Sequence, residues 1–224
     1  MNKIKFLYQI IFRRKALYSF LNQLPQEITI LDVGCGNDSS YNIKTCFPTF
    51  KYTGIDIGEY NQTKPRLADN YILTTPEAFA STIRNIPQQF DAVISSHNLE
   101  HCNNREETLE AILNVVKPNG GLYLSFPCEA SVTFPHRKRT LNYYDDDTHK
   151  DAPPAFYEVL QTIKDRGFEI RYSTKRYRPF FLTLLGLLQE PIVWLRNEPL
   201  QGTWALYGFE SIIWARKRLF NNAK

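Results

Sequence analysis

Cysteine is scarce and scattered in this 224-residue chain. Cys35, Cys46, Cys102 and Cys128 lie far apart with no paired C-x-x-C spacing, which points away from a disulfide framework and from a structural zinc site. A reducing, cytoplasmic setting is expected. Charge of one sign is also lacking: 27 Lys and Arg against 23 Asp and Glu leave a net +4, spread along the chain without a lysine-rich tail. That is too mild to argue for a nucleic-acid partner. No long uninterrupted apolar run occurs. Met1 to Leu24 alternates Lys3, Lys5, Arg13, Arg14 and Lys15 with apolar residues and has no small-residue cleavage site, so residues 1–24 read as an amphipathic helix rather than a secretory signal. Pro179 to Leu195 is broken by Gln189, Glu190 and Pro191, so no transmembrane helix is expected. Four histidines, His97, His101, His136 and His149, are the whole supply of imidazole. No internal repeat or low-complexity tract is visible.

What is present suffices for one complete core. Hydrophobic residues make up 43% and aromatic residues 14%, which suits a single domain over residues 1–224. Short β-rich runs alternate with segments of helical period, the pattern of an α/β fold with a parallel sheet and helices on both faces. Ile28–Val33, Lys51–Ile57, Tyr71–Thr74, Phe90–Ser95 and Leu122–Phe126 read as successive strands, with Phe168–Tyr172 and Ile212–Arg216 closing the sheet. The clearest helix is capped by Asn103 or Asn104, carries Glu106 and Glu107 in its first turn, and presents Leu109, Ile112, Leu113 and Val116 on one face. Pro118 and the Gly120-Gly121 pair are expected to end it. A second helix runs from about Pro154 to Arg166, before Gly167. Three segments fall outside the alternation: the basic start, a polar substrate loop over 127–152, and an apolar insertion over 177–207. The insertion must cover the pocket as a lid, pair with a second copy as a homodimer, or contact a membrane surface.

The first strand runs into Asp32-Val33-Gly34-Cys35-Gly36-Asn37-Asp38, two glycines in a tight turn at a strand's carboxyl end, where open α/β sheets bind ligands. Asp56 lies twenty positions beyond Gly36 at the tip of the second strand, placed to accept the hydroxyls of an adenosine ribose. Charge selects the nucleotide. Asp32 and Asp38 flank the turn, no Lys or Arg occurs from Ile28 to Ile43, and Ser39 stands where a dinucleotide fingerprint has its third glycine. Carboxylates repel a pyrophosphate and suit the cationic S-adenosylmethionine.

The segments ILDVGCGNDSS, YTGIDI, FDAVISSHNLEHC and VVKPNGGLYLSFP together resemble the successive signatures of the class I S-adenosylmethionine-dependent methyltransferases, over roughly Glu27 to Pro127. The resemblance implies a Rossmann-like, doubly wound, mostly parallel seven-stranded sheet and S-adenosyl-L-methionine as cofactor. It further implies that Asp32, Gly34, Cys35 and Gly36 line the methionine part of the donor and that Asp56, with Ile57, holds the ribose. Thr75, Pro76 and Glu77 stand where the family often has an acidic dipeptide beside the adenine, while Ser96 and His97 should face the sulfonium.

His97-Asn98-Leu99-Glu100-His101 literally matches the H-x-x-E-H pattern of zinc peptidases, but it follows a strand instead of lying in a long helix. Some O-methyltransferases that the chain resembles, acting on small RNA ends and on quinone precursors, hold a divalent ion with a carboxylate and histidine here; the corresponding set would be Glu100, His101 and His97. The preferred reading has no metal, with Glu100 and His101 shaping the floor of the donor pocket. An imidazole can take a proton from an acceptor hydroxyl, so His149, then His101 and His136, are the candidate bases. Arg137, Lys138, Arg139, Tyr143, Tyr144 and Asp145 to Asp147 offer a polar, stacking wall suited to sugars. The expected function is O-methylation of a sugar, glycan precursor or other small hydroxylated metabolite, in the style of accessory methyltransferases of bacterial surface polysaccharide biosynthesis. The competing readings are a non-catalytic donor-binding or membrane-associated assembly protein of the same fold and an NAD-dependent reductase.

Overall fold

A computed structural model describes residues 3–8 and 15–219. Seven strands, β1 (Thr29–Val33), β2 (Lys51–Asp56), β3 (Asn70–Leu73), β4 (Phe90–Ser96), β5 (Val116–Pro127), β6 (Phe168–Thr174) and β7 (Glu210–Lys217), form one sheet in the order β3-β2-β1-β4-β5-β7-β6. The pairs among β1 to β5 are parallel, and β7 runs antiparallel to both β5 and β6. The expected doubly wound, mostly parallel sheet is therefore the observed one.

Period-2 alternation sends neighbouring residues of the central strands to opposite faces. Leu31, Val33, Val93, Leu122 and Leu124 face one layer, against α4 (Phe79–Arg84), α5 (Arg105–Asn114) and α6 (Phe156–Asp165) through Ile83, Ile112, Phe156 and Ile163. Ile30, Tyr52, Ile94 and Tyr123 face the other, against α2 (Lys15–Leu21) and α3 (Ser39–Cys46) through Leu17, Leu21 and Ile43. Each such aliphatic side chain, fully buried, contributes about 1.5–3 kcal/mol. The order reverses between β1 and β4, so the chain leaves these two strands in opposite directions and opens a crevice beyond their carboxyl ends.

Several boundaries differ from expectation. Asn104 caps α5, its Oδ1 accepting from the Glu107 N–H at 3.1 Å, but the helix stops at Asn114, and Val116 belongs to β5 opposite Phe90. Pro118 lacks an N–H, and Asn119 takes a left-handed backbone (φ 65°), so the ladder bulges here and resumes at Gly121 instead of breaking. The amphipathic helix expected over 1–24 falls partly outside the described residues. What is described is α1 (Lys3–Tyr8) and α2, which ends at Leu21. The substrate loop is irregular, with single 3-10 turns at Glu129–Thr133 and Tyr143–Asp145. The insertion folds into α7 (Phe180–Arg196) and α8 (Thr203–Tyr207). No helix among the described residues is long and apolar enough to cross a membrane.

Candidate active site

A cavity of ≈ 2090 Å³ opens over the carboxyl ends of β1, β2 and β4. A single small-molecule site typically occupies about 300–1,000 Å³, so there is room for a donor and an acceptor together. Gly34, Gly36, Asp56, Ile57, Pro76, Glu77, Ser96 and His97 line one side; His101, Asp146, Thr148 and His149 line the other.

The glycine turn is built for close approach. Gly34 has φ +76°, and a Cβ there would meet the Asn98 side chain at 2.6 Å. Its N–H donates to the Ile55 carbonyl at 2.9 Å, tying the turn to β2. Asp32 lies beneath the turn instead of lining the cavity: it is buried, and its Oδ2 accepts from Ser39 Oγ (2.6 Å) and Tyr52 Oη (2.5 Å). The serine in the third-glycine position thus props the turn from below. Cys35 is likewise buried behind it against Gly54, where burial, then the charge of Asp32, pushes its thiol pKa up. Asp38 does line the cavity, but its carboxylate is taken up there by the Thr63 and Lys64 N–H groups and Thr63 Oγ1, from which it accepts. Of the two acids expected to flank a ligand, one supports the turn and the other pins the 63–64 loop.

Asp56 does reach the cavity. Burial raises its pKa above the ordinary 3.8, against the opposing hydrogen bond from the Ile57 N–H to Oδ1 at 2.7 Å. Thr75 does not line the cavity; its Oγ1 accepts from the Ala78 N–H at the entry to α4.

His97 is held on both ring nitrogens, Nδ1 at 3.1 Å from Glu100 Oε1 and Nε2 at 2.9 Å from Glu210 Oε1. Burial works against its charge, but the two carboxylates outweigh it and lift its pKa to about 10. An imidazolium so placed offers no lone pair, which removes His97 from the cation-binding set expected with Glu100 and His101. His149 replaces it: one ligand atom from each of Glu100, His101 and His149 lies within 4.8 Å of the others. The fully buried Glu100 keeps its Oε2 without a hydrogen-bond partner.

His149 Nδ1 lies 2.6 Å from the Tyr143 carbonyl, which only accepts, so Nδ1 carries the proton and Nε2 the lone pair. Burial lowers its pKa, opposed by that same hydrogen bond, and the ring stacks on Tyr143 at 4.3 Å. His101 Nδ1 lies 2.9 Å from Thr148 Oγ1, whose hydroxyl donates to Asp146 Oδ1 at 2.5 Å. His136 stands apart: exposed, paired with Asp145 at 2.7 Å and outside the cavity. It is not positioned as a base. Arg105 braces the loop, donating to Leu99 O (3.1 Å), Tyr143 Oη (3.1 Å), Lys150 O and Ala152 O. Arg105 and Glu210 carried no motif signal; Asp146 was visible within Asp145 to Asp147 but not singled out.

With this geometry in place, the methyltransferase-domain family model matches residues 8–171. The chain belongs to that family, within the class I S-adenosylmethionine-dependent superfamily. Among curated proteins it is 34% identical over 103 residues to a ubiquinone biosynthesis O-methyltransferase of Azoarcus sp., covering 43% of this chain and 42% of that one. It spans less than half the length of the curated relatives it matches. Among solved structures, an S-adenosylmethionine-dependent methyltransferase from Mesorhizobium loti superposes with a TM-score of 0.60 at 15% identity, covering 89% of this chain and 96% of that one. The N-methyltransferase NodS from Bradyrhizobium japonicum, solved with S-adenosylhomocysteine, does so at 0.55 and 11%, covering 92% and 87%. At these identities the structural likeness concerns the fold.

Proposed function

We propose that the chain transfers the methyl group of S-adenosylmethionine to a hydroxyl oxygen of a sugar, glycan precursor or other small hydroxylated metabolite. The observation that carries this is His149, an imidazole fixed in one tautomer whose Nε2 lies 3.8 Å from Asp146 Oδ2, outside hydrogen-bond distance, on the wall of a cavity shared with the glycine turn. Gly34 and Gly36 leave space for the methionine part, Asp56 accepts from the ribose, Pro76 and Glu77 flank the adenine, and Ser96 faces the reacting centre. Asp32 and Cys35 act through the turn they support.

When bound, S-adenosylmethionine supplies a methyl group on a sulfonium, already an excellent leaving group. The residues of the chain then have to orient the acceptor and take its proton. His149 Nε2 accepts the hydroxyl proton while Tyr143 O holds Nδ1–H, and His101, steadied by Thr148 and Asp146, orients the acceptor. The likeness to ubiquinone biosynthesis O-methyltransferases supports an oxygen acceptor, and the polar wall of Arg139, Thr140, Asp146 and Asp147 supports a hydroxylated one. Four unpaired thiols support a cytoplasmic setting.

His149→Ala is expected to lower kcat by about 10²–10⁴ while S-adenosylhomocysteine still binds, with mass spectrometry of the product naming the acceptor atom. Unchanged kcat would reject the base, and donor binding without turnover on any acceptor would favour the non-catalytic reading. A second reading rests on the unpartnered Glu100 Oε2: Glu100, His101 and His149 hold a divalent cation that activates the acceptor. Activity that survives exhaustive chelation supports the base; activity lost on chelation and restored by Mg²⁺ or Mn²⁺ supports the cation.

A further inference from the structure

The long helix α7 buries only part of its apolar surface. Leu182, Gly186 and Val193 face inward, and Gly186 lies so close to α8 that a Cβ on it would fall 2.2 Å from the Gly202 carbonyl oxygen. At Gly186 the inner face is therefore packed backbone to backbone. Phe180, Phe181, Leu184, Leu187, Leu188, Ile192, Trp194 and Leu195 are left between 44% and 76% exposed. Their spacing makes a continuous outward stripe along a helix roughly 25 Å long. Glu190, the helix's one acid, turns away from it, accepting from Tyr207 Oη at 2.7 Å and lying 3.6 Å from Arg137. A patch of this kind is not left in water without a purpose.

Charge at the two ends of the stripe identifies what covers it. Exposed Arg178 precedes the helix, Arg196 ends it, and Lys138 is held beside that end by its backbone N–H on Asn197 O at 3.1 Å. None of the three has an acidic partner among the described residues. A two-fold pairing of α7 with a second copy would set Arg178 of one chain against Arg196 and Lys138 of the other, which is repulsive. Anionic headgroups neutralise all three, and Trp194 suits the boundary between headgroup and acyl chain. Helix α1 adds exposed Ile4 and Leu7, and its Lys5 and Tyr8 line the same cavity as Pro179 and Leu182 of the α7 entry.

We propose that the outer face of α7 seats the chain on an anionic lipid surface, lying along it without crossing it. The inference stands apart from the methyl-transfer reading. The test is sedimentation of the full chain with vesicles of equal parts phosphatidylcholine and phosphatidylglycerol, and with phosphatidylcholine alone. Partitioning is expected to be roughly a hundredfold stronger on the anionic vesicles, three cations near the surface contributing about fivefold each, and to weaken with salt. Leu188→Glu with Leu195→Glu, both at exposed sites, should abolish binding while circular dichroism stays unchanged. Arg196→Glu with Lys138→Glu should remove the anionic preference. No partitioning, equal partitioning on both vesicles, or a dimer by light scattering that Leu188→Glu splits would each overturn the proposal.

Discussion

Glu210 on β7 reaches His97 at the end of β4, 2.9 Å from Oε1 to Nε2, across 113 positions of sequence. The same imidazole holds Glu100 by its other nitrogen, so one ring ties the closing antiparallel strand to the turn that carries Glu100 and His101. Because the folded-state pKa of His97 is raised, its contribution to stability is fully present below its ordinary 6.5 and is lost as pH rises through about 10. His97→Asn should therefore show a Tm deficit that is largest at mildly acidic pH and shrinks toward pH 10. A deficit independent of pH would contradict the charge pairing.

Gly34→Ala is expected to cost about 1–3 kcal/mol, from a left-handed backbone that alanine disfavours and a Cβ placed 2.6 Å from Asn98 Oδ1. Thermal unfolding measures the stability loss, and titration with S-adenosylhomocysteine should show weakened binding. Asn98→Gly in the same chain removes the side-chain atoms in the clash, the Cβ at 2.8 Å included, but not the backbone strain, so it should restore only part of both.

Arg105→Ala removes the brace between Leu99, Tyr143, Lys150 and Ala152. The loop carrying His149 then loosens while the glycine turn is untouched. The expected outcome is a fall of about 10–100-fold in kcat/KM for the acceptor with donor affinity unchanged. A parallel fall in donor affinity would place the brace elsewhere in the mechanism.

Thr148→Val breaks the link from His101 to Asp146 without changing side-chain shape. A drop in kcat smaller than that of His101→Ala, with acceptor KM rising more than kcat falls, would mark Thr148 as a positioning residue. Equal effects on both constants from the two variants would remove that distinction.

The fold was legible because β1, β4 and the second half of β5 are buried on both faces and carry short apolar runs between amphipathic helices. The glycine turn and Asp56 were legible because local backbone geometry restricts the residues that can stand there. Sequence proximity misled elsewhere. Asp38 and Asp32 adjoin the turn in the chain, yet their carboxylates point to Thr63 and to Tyr52. His136 and His149 share one polar segment, and only the loop path fixed by Arg105 and Tyr143 brings one of them to the cavity. Glu210 was invisible because its role exists only once β7 inserts antiparallel between β5 and β6.

The donor site is tested most directly by calorimetric titration of the folded chain with S-adenosylhomocysteine, using wild type and Asp56→Asn. Loss of a charged hydrogen-bond partner to the ribose costs about 1.5–3 kcal/mol, so one-to-one binding should weaken by roughly 10–100-fold in the variant. No heat of binding from the wild type, or stabilisation by NADH in place of S-adenosylhomocysteine, would contradict the assignment.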